Sequence, residues 1–247
     1  MIGAATVALS VCANDLAVAS ERLIVSLIAK AQGYPAISQR IDVISRALLG
    51  HRYEADTLIG GPHKPEVFVT RDDRFDCVTF CETVLAAARS HDLPSFEAAL
   101  RAIRYRGGVV EWHARNHDFA AWCDHNVADG LCKPVVIGES TEIKKTLTTP
   151  RALGRRNYMI AGIAGKTLLA NKDALKSGDI VGFVSRRPWL DYFHTGLVAF
   201  DAKGGLLLRN ASLSRGKVVD QSMKGFLAIN GVRYLTVLRP QELEKPA

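Results

Sequence analysis

The sequence predicts an α+β fold in which helices of the first half pack on an antiparallel sheet formed by the second half. Apolar residues recur at helical spacing in the first half, over residues 20–49, 76–88 and 94–103. From residue 179 onward, short apolar or β-branched runs are separated by turns rich in Gly, Asp and Lys. The two patterns do not alternate as βαβ units would, which favours helices segregated on one antiparallel sheet.

The helices and one early strand follow from local signals. Residues 20–49 predict two helices, because Gly33 and Pro35 interrupt the apolar pattern. Residues 66–70 predict a short strand. The next helix begins near Asp76, and Pro94 opens another helix.

The second half predicts a meander of five strands. Residues 133–157 are the least patterned part of the chain and are interpreted as an insert loop over the site. No linker divides the two halves, so residues 20–247 are predicted to form one domain. The predicted strands cover residues 179–184, 194–200, 206–212, 217–219 and 232–238.

The net charge and the N-terminal residues indicate which partners and which cell compartment to expect. The chain of 247 residues has a net charge of +7, but its basic residues are spread out and lack interleaved aromatics, which argues against a nucleic-acid partner. Residues 1–13 carry no charged side chain and are rich in Ala, Val and Leu, and residues 17–19 have a small-x-small pattern. Residues 1–19 therefore predict a signal peptide and export to the periplasm, without stable membrane insertion. No Lys or Arg precedes the apolar run, and a first helix packed on the core remains the alternative. We expect a monomer.

Cys77 is the candidate nucleophile. It lies in the first turn of the predicted third helix, directly after Asp76, a natural N-cap. The helix N-terminus is expected to lower the pKa of this thiol, and its N–H groups to supply part of an oxyanion hole. The alternative is a buried structural cysteine.

His194 is the candidate general base. If the hairpin turns at residues 201–205, an even pairing register puts Asn210 or Ser212 opposite His194, whereas an odd register puts Ala211 there. Asn210 would then fix the imidazole tautomer. The chain order Cys, His, Asn matches a nucleophile, base and orienting group of papain type.

Six blocks of the sequence resemble the DUF1460 family, a bacterial group within the NlpC/P60 branch of papain-like cell-wall hydrolases. The resemblance runs from about Tyr53 to Arg239. In chain order the blocks are RFDCVTFCE (74–82), IRYRGG (103–108), RNHDFAAW (115–122), LKSGDIV (175–181), DYFHTG (191–196) and NAS (210–212).

The resemblance implies a papain-like NlpC/P60 fold and an N-acetylmuramoyl-L-alanine amidase. Such an enzyme cuts the bond between N-acetylmuramic acid and L-alanine in muropeptides, through a thioester. The family's cysteine and histidine correspond to Cys77 and His194, and its third polar residue to Asn210, where we expect His in many relatives. Cys81 and Thr195 also depart from the family pattern, which has aliphatic residues at these positions.

Further side chains are candidates for substrate contact. Arg115 and His117 are expected to grip carboxylate or sugar oxygens, and the Tyr53 hydroxyl to be a second oxyanion donor. The alternatives are a half-buried aromatic for Tyr53, a solvated helix face, and for Arg115 an ion pair with Asp118 or Glu111. The complete predicted set is Tyr53, Asp76, Arg104, Arg115, His117, Asp191 and Ser212.

Other chemistries fit the sequence less well. The cysteines and nearby histidines lack both a CxxC pair and an HExxH motif, so no metal is expected, and no organic cofactor either. Cys123 and Cys132 could form a disulfide or remain free thiols. Three other functions stay open: a γ-D-glutamyl-diaminopimelate endopeptidase, a non-catalytic wall-binding module, and, without export, a secreted antibacterial effector.

Overall fold

A computed structural model of the protein describes residues 23–242, and it confirms the α+β class. The predicted signal peptide lies outside the described residues. The helices are α1 (residues 23–31), α2 (Ile37–Ala47), α3 (Cys77–Ala88), α4 (Leu93–Arg104), α5 (Phe119–Ala128), α6 (Gly165–Ala170) and α7 (Met223–Ile229). The strands are β1 (Arg52–Tyr53), β2 (Ile59–Gly61), β3 (Lys64–Val67), β4 (Arg74–Phe75), β5 (Cys132–Pro134), β6 (Ser140–Leu147), β7 (Arg156–Ala164), β8 (Ile180–Val184), β9 (Tyr192–Phe200), β10 (Leu206–Ser212), β11 (Lys217–Ser222) and β12 (Tyr234–Pro240).

The helices predicted in the first half are present, and their ends follow the capping signals. α3 and α4 begin directly after Asp76 and Asp92, whose side chains accept hydrogen bonds from first-turn backbone N–H groups. The strand predicted at residues 66–70 lies earlier in the chain, since β3 covers Lys64–Val67. It pairs with β2 in a small hairpin that is separate from the main sheet.

The main sheet has ten strands. Its order is β4-β1-β11-β10-β9-β8-β12-β7-β6, and β5 pairs with β12. Strands β8 to β11 form an antiparallel meander as predicted. The fifth predicted strand, β12, departs from the prediction because it returns to pair with β8 instead of β11. β1 and β4 join the sheet as a short parallel pair, so the first half is not purely helical. Each has two residues, too few for a periodic pattern to predict them.

The interpretation of residues 133–157 as an insert loop is wrong. This stretch holds most of β5, all of β6 and the start of β7, and β6 pairs with β7 along its whole length at the end of the sheet. Only Lys145 and Leu147 of β6 are buried. The strand therefore lacks the apolar alternation of a half-buried strand, and its charged side chains are typical of a protected edge.

The core lies on both faces of the sheet. One cluster packs the early helices on the sheet and includes Ile44, Phe80 and Trp122. The other includes Phe183 and Met223 and lies under α6 and α7. Helix α3 packs directly on β9 and β10, and β9 carries the candidate base. Within residues 23–242, no helix has both the length and the hydropathy needed to cross a bilayer.

Candidate active site

The N-terminus of α3 is built by a strand pair and a capping box. β1 and β4 run parallel with Tyr53 opposite Phe75, so Tyr53 lies beside the start of α3. The Asp76 carboxylate accepts from the N–H groups of Val78 at 2.9 Å and Thr79 at 2.7 Å. The Thr79 hydroxyl accepts in return from the Asp76 N–H at 3.0 Å. This cap does not use the N–H of Cys77 itself.

The expectation of a lowered pKa for Cys77 is wrong. Burial raises the pKa of this thiol to about 12, and the negative charge of Asp76 adds to the rise. Backbone groups of Thr195, Cys77 and Val78 hydrogen-bond the sulfur and oppose the shift. The helix terminus therefore acts in the expected direction, but removing the sulfur from water outweighs it.

The backbone of Thr195 contacts the Cys77 sulfur, and Thr195 directly follows His194 on β9. The described contacts of the His194 ring are with Asn210, Phe183 and Phe226, so a direct approach of the ring to the thiol stays a prediction. The imidazole Nε2 is 2.8 Å from the Asn210 Oδ1. The amide Nδ2 of Asn210 faces the carbonyls of Leu208 at 3.4 Å and Val219 at 3.5 Å, so its oxygen points to the ring. An amide oxygen only accepts, and Nε2 must therefore carry the proton while Nδ1 keeps its lone pair.

The hairpin has the even register that this contact needs. Arg209 pairs with Leu197, so Asn210 comes next to Gly196 and diagonal to His194 on the same face. A Cβ built on Gly196 would lie only 2.9 Å from the Asn210 Cβ. The missing side chain at Gly196 thus leaves the space in which Asn210 reaches the imidazole.

Aromatic rings cover His194. Its ring centroid is 5.4 Å from that of Phe226 on α7 and 6.3 Å from that of Phe183 on β8. Burial lowers the pKa of His194, and the hydrogen bond to Asn210 opposes the shift. The raised pKa of Cys77 and the lowered pKa of His194 favour a neutral thiol and a neutral imidazole at pH 7.

A cavity of about 250 Å³ opens beside the first turn of α3 and gathers four of the predicted contact residues, Asp76, Arg104, Arg115 and His117. Cys77 and His194 are not in its lining, but Asp76 and Val78 are. Thr57 Oγ1 and Asn116 Oδ1 belong to residues that line it, are buried, and have no hydrogen-bond partner within the described part of the chain. Buried polar atoms of this kind are usually satisfied, and here a bound polar group would satisfy them.

Both cavity arginines are already paired with carboxylates. Arg104 donates to Glu82 at 2.7 Å and to the Val69 carbonyl at 2.7 Å, in an ion pair whose side chains are each 3% exposed. Arg115 donates to Glu66 at 3.0 Å. The alternative ion pair of Arg115 with Asp118 or Glu111 is therefore wrong in its partner, because Glu66 comes from β3, far away in sequence.

The remaining cavity candidate, His117, is held by its own segment. Its Nε2 is 2.6 Å from the Trp112 carbonyl and must donate to it, which leaves Nδ1 as an acceptor. Burial lowers the pKa of His117. The ring is therefore expected to be neutral at pH 7.

Asp191 and Ser212 lie away from this cavity. Asp191 is buried and accepts from the N–H of Ala120 at 2.7 Å, so it ties the start of α5 to β9. The Ser212 hydroxyl is 3.2 Å from that of Ser214. The structure gives each of these side chains a partner in the fold and brings neither to the cavity.

Several relevant residues were missed in the sequence. Gly196 carries a local signal, because it follows His194 by two positions and so shares its face of the strand. Glu66, Glu82 and Phe226 carry none, since each acquires its role from a residue in another element.

The described cysteines are all free thiols: Cys77, Cys81, Cys123 and Cys132. Of the two alternatives for Cys123 and Cys132, a disulfide or free thiols, the structure therefore has the free thiols.

A larger, mostly apolar cavity of about 430 Å³ lies between α5 and strands β5 to β7. It is lined by Cys123 but by none of the predicted site residues, and we therefore take the smaller cavity, which adjoins the first turn of α3, as the candidate substrate cavity.

Comparisons with known proteins agree with this fold. A family model described as AmiA-like, N-acetylmuramoyl-L-alanine amidase-like, matches residues 43–231. The chain is similar to the crystal structure of an N-acetylmuramoyl-L-alanine amidase from Bacteroides uniformis, with 25% identity, a TM-score of 0.69, and coverage of 80% of this chain and 96% of that one. It is also similar in fold to a DUF1460 protein from Legionella pneumophila, with 20% identity, a TM-score of 0.80, and coverage of 93% and 97%. No functionally curated protein matches the sequence.

Proposed function

Because the chain belongs to the AmiA-like family of N-acetylmuramoyl-L-alanine amidase-like proteins, we propose that it is a cysteine amidase acting on peptidoglycan fragments. The bond cut joins the lactyl carbonyl of N-acetylmuramic acid to the amine of L-alanine. We also propose a papain-like NlpC/P60 fold, a monomeric enzyme, and export to the periplasm, where its muropeptide substrates occur. The observation that carries the proposal is the His194–Asn210 hydrogen bond on β9 and β10, because the next residue of β9, Thr195, contacts the Cys77 sulfur through its backbone.

The first step is base-assisted attack. The resting pair is a thiol and a neutral imidazole, and Asn210 holds the proton of the ring on Nε2. Nδ1 takes the thiol proton while the sulfur attacks the lactyl carbonyl carbon. A preformed thiolate is not needed, since the proton moves as the new bond forms.

The oxyanion of that step needs donors at the start of α3. The N–H of Cys77 is one candidate, because the Asp76 cap uses the next two N–H groups instead. The Tyr53 hydroxyl is the other. Its pKa is raised by burial and by the nearby Cys77, Asp76 and Asp56, so the hydroxyl keeps its proton and can donate it to a hydrogen bond.

The second half of the reaction returns the protons. The imidazolium Nδ1–H protonates the nitrogen of L-alanine, the C–N bond breaks, and the lactyl group remains as a thioester on Cys77. Water then attacks the thioester with His194 as base. The acid product leaves and the thiol regains its proton.

We assign the 250 Å³ cavity to the peptide part of the substrate. Arg115 and His117 contribute polar groups there, and the unpartnered Thr57 and Asn116 atoms are further hydrogen-bonding positions. Arg104 acts indirectly in this proposal. It joins α4 to α3 through Glu82 and so supports the helix that carries Cys77.

Mass spectrometry of a purified muropeptide after incubation tests the proposal. We expect wild-type protein to release the peptide with a free L-alanine amine, and Cys77→Ala to release none while keeping the melting temperature. Cys123→Ala, a matched loss of another thiol, should retain turnover. Iodoacetamide should inactivate the wild type and EDTA should not.

Three results would count against it. Equal turnover by Cys77→Ala removes the cysteine mechanism. A new diaminopimelate amine identifies an endopeptidase instead. Binding of muropeptide by the wild type without any cleavage identifies a wall-binding module.

A further inference from the structure

The loop between β8 and β9 and the turn after α7 form an exposed surface that the candidate site does not use. They line a shallow depression of about 400 Å³ that includes Arg186, Arg187 and Phe193. Trp189, Phe193 and Ile229 are 64%, 38% and 87% exposed. We call Arg186, Arg187, Trp189, Phe193 and Ile229 the loop surface.

The apolar members of the loop surface project into solvent, and they include large aromatic side chains. Trp112 and Trp122 are 7% and 0% exposed, so Trp189 is the exposed one of the three tryptophans. Phe193 stacks on Phe226 with their ring centroids 6.3 Å apart. Exposed apolar side chains gathered in one place usually mark an interaction site.

The charge around these side chains has one sign. Residues 185–190 and 224–233 contain Arg186, Arg187, Lys224 and Arg233 but no Asp or Glu, and all four cations are exposed. Asp191 follows directly in sequence, but it is buried and hydrogen-bonded to α5. The loop surface therefore complements an anionic partner.

Hydrogen bonds from neighbouring elements hold the loop between β8 and β9 in its conformation. Lys145, a buried residue of β6, donates to the carbonyls of Ser185 at 2.6 Å and Arg187 at 2.8 Å. The Arg187 N–H donates to the Ser185 hydroxyl at 3.1 Å, and the Ser185 N–H donates to the Asp191 carbonyl at 2.8 Å. A braced loop presents Trp189 without a large loss of entropy on binding.

We propose that the loop surface docks the protein on an anionic phospholipid bilayer. Trp189, Phe193 and Ile229 enter the interfacial layer, where aromatic rings are favoured, and Arg186 and Arg187 bind lipid phosphates. A glycan would stack on Trp189 but would leave Ile229 in water, and a phosphate polymer would leave both apolar tips exposed. A bilayer matches the apolar and the cationic parts together.

This docking is independent of the amidase proposal, but it has a consequence for the site. Phe226 links the two places, because its ring contacts both Phe193 and His194. The bilayer surface would then lie within two side chains of the candidate base.

Vesicle flotation of the full chain tests the docking. We compare phosphatidylcholine vesicles with vesicles containing about one third phosphatidylglycerol, at about 0.1 M salt. Binding should require the anionic lipid, and Arg186→Ser with Arg187→Ser should weaken it by about fivefold per arginine. Trp fluorescence should shift to the blue on binding, and Trp189→Phe should abolish that shift.

The controls separate this surface from other apolar parts of the chain. Val136 and Met159 are 87% and 60% exposed and line the 430 Å³ cavity, not the depression of the loop surface, so Val136→Ser and Met159→Ser are matched to Ile229→Ser. Of these three apolar variants, only Ile229→Ser should lower vesicle binding.

Several outcomes overturn the docking. The first is failure of the wild type to bind vesicles, and the second is equal binding of the wild type to neutral and anionic vesicles. Unchanged binding by the Ile229 and arginine variants would also overturn it, and would assign vesicle binding to the N-terminal residues instead. Binding to insoluble peptidoglycan that these variants lose, with no effect on vesicles, would assign the surface to a glycan instead.

Discussion

Replacing Gly196 with alanine should disable the candidate site without removing any of its polar groups. The added Cβ would lie 2.8 Å from the Arg209 carbonyl oxygen, 2.8 Å from the Leu208 Cδ1 and 2.9 Å from the Asn210 Cβ. One of these atoms belongs to the backbone of β10, so a change of side-chain rotamer cannot relieve the clash. The two strands must move apart where Asn210 meets His194.

The size of the effect follows from the distances. Ordinary contacts of a Cβ begin near 3.4 Å, so the Asn210 Cβ must retreat by about 0.5 Å from 2.9 Å. A shift of that size away from His194 would stretch its 2.8 Å hydrogen bond to about 3.3 Å, beyond the usual range. We expect kcat/KM to fall about tenfold to a hundredfold, because small misplacements of reacting groups are costly. The overpacking should lower the free energy of unfolding by about 1–3 kcal/mol.

The assay is muropeptide hydrolysis together with thermal unfolding. Gly33→Ala is the matched control, because a Cβ at Gly33 meets nothing within 4 Å. It should leave kcat/KM unchanged and the free energy of unfolding within about 0.5 kcal/mol. Wild-type kcat/KM in Gly196→Ala would refute the idea that the missing side chain makes room for Asn210. An equal loss in Gly33→Ala would show that the effect is not local.

Three further predictions concern charge and protonation. Glu82→Ala leaves Arg104 buried without its carboxylate partner. The free energy of unfolding, measured by urea titration, should fall by about 3–5 kcal/mol. A fall of less than about 1 kcal/mol would contradict the importance of the buried ion pair. Asp76→Asn keeps an oxygen for the helix cap but removes a negative charge that raises the pKa of Cys77. Iodoacetamide should therefore alkylate Cys77 faster in the variant than in the wild type at about pH 8. Equal alkylation rates would contradict this prediction. Burial lowers the pKa of His194 from its ordinary value of 6.5, so the base becomes protonated only at lower pH. The acid limb of kcat/KM should have its midpoint below 6.5, and a midpoint above that value would show that His194 is not the buried base.

The parts of the fold with a strong local pattern could be predicted from the sequence. The helices α3 and α4 carry both apolar periodicity and an aspartate cap, and β8 to β10 are long apolar runs between turns. β1 and β4 are too short for such a signal, and β6 is mostly exposed at the end of the sheet. Their place in the sheet depends on strands that come later or earlier in the chain.

For the candidate site, the sequence by itself determined Cys77 at a capped helix start, because a helix cap is set by neighbouring residues. It left the register of the hairpin open, and the structure has the even register that puts Asn210 beside His194. The tertiary structure alone decided that the Cys77 thiol has a raised pKa and that Arg115 pairs with Glu66. The physical reason is that burial and ion pairing depend on which distant segments exclude water from a side chain, and a local pattern of residues does not contain that information.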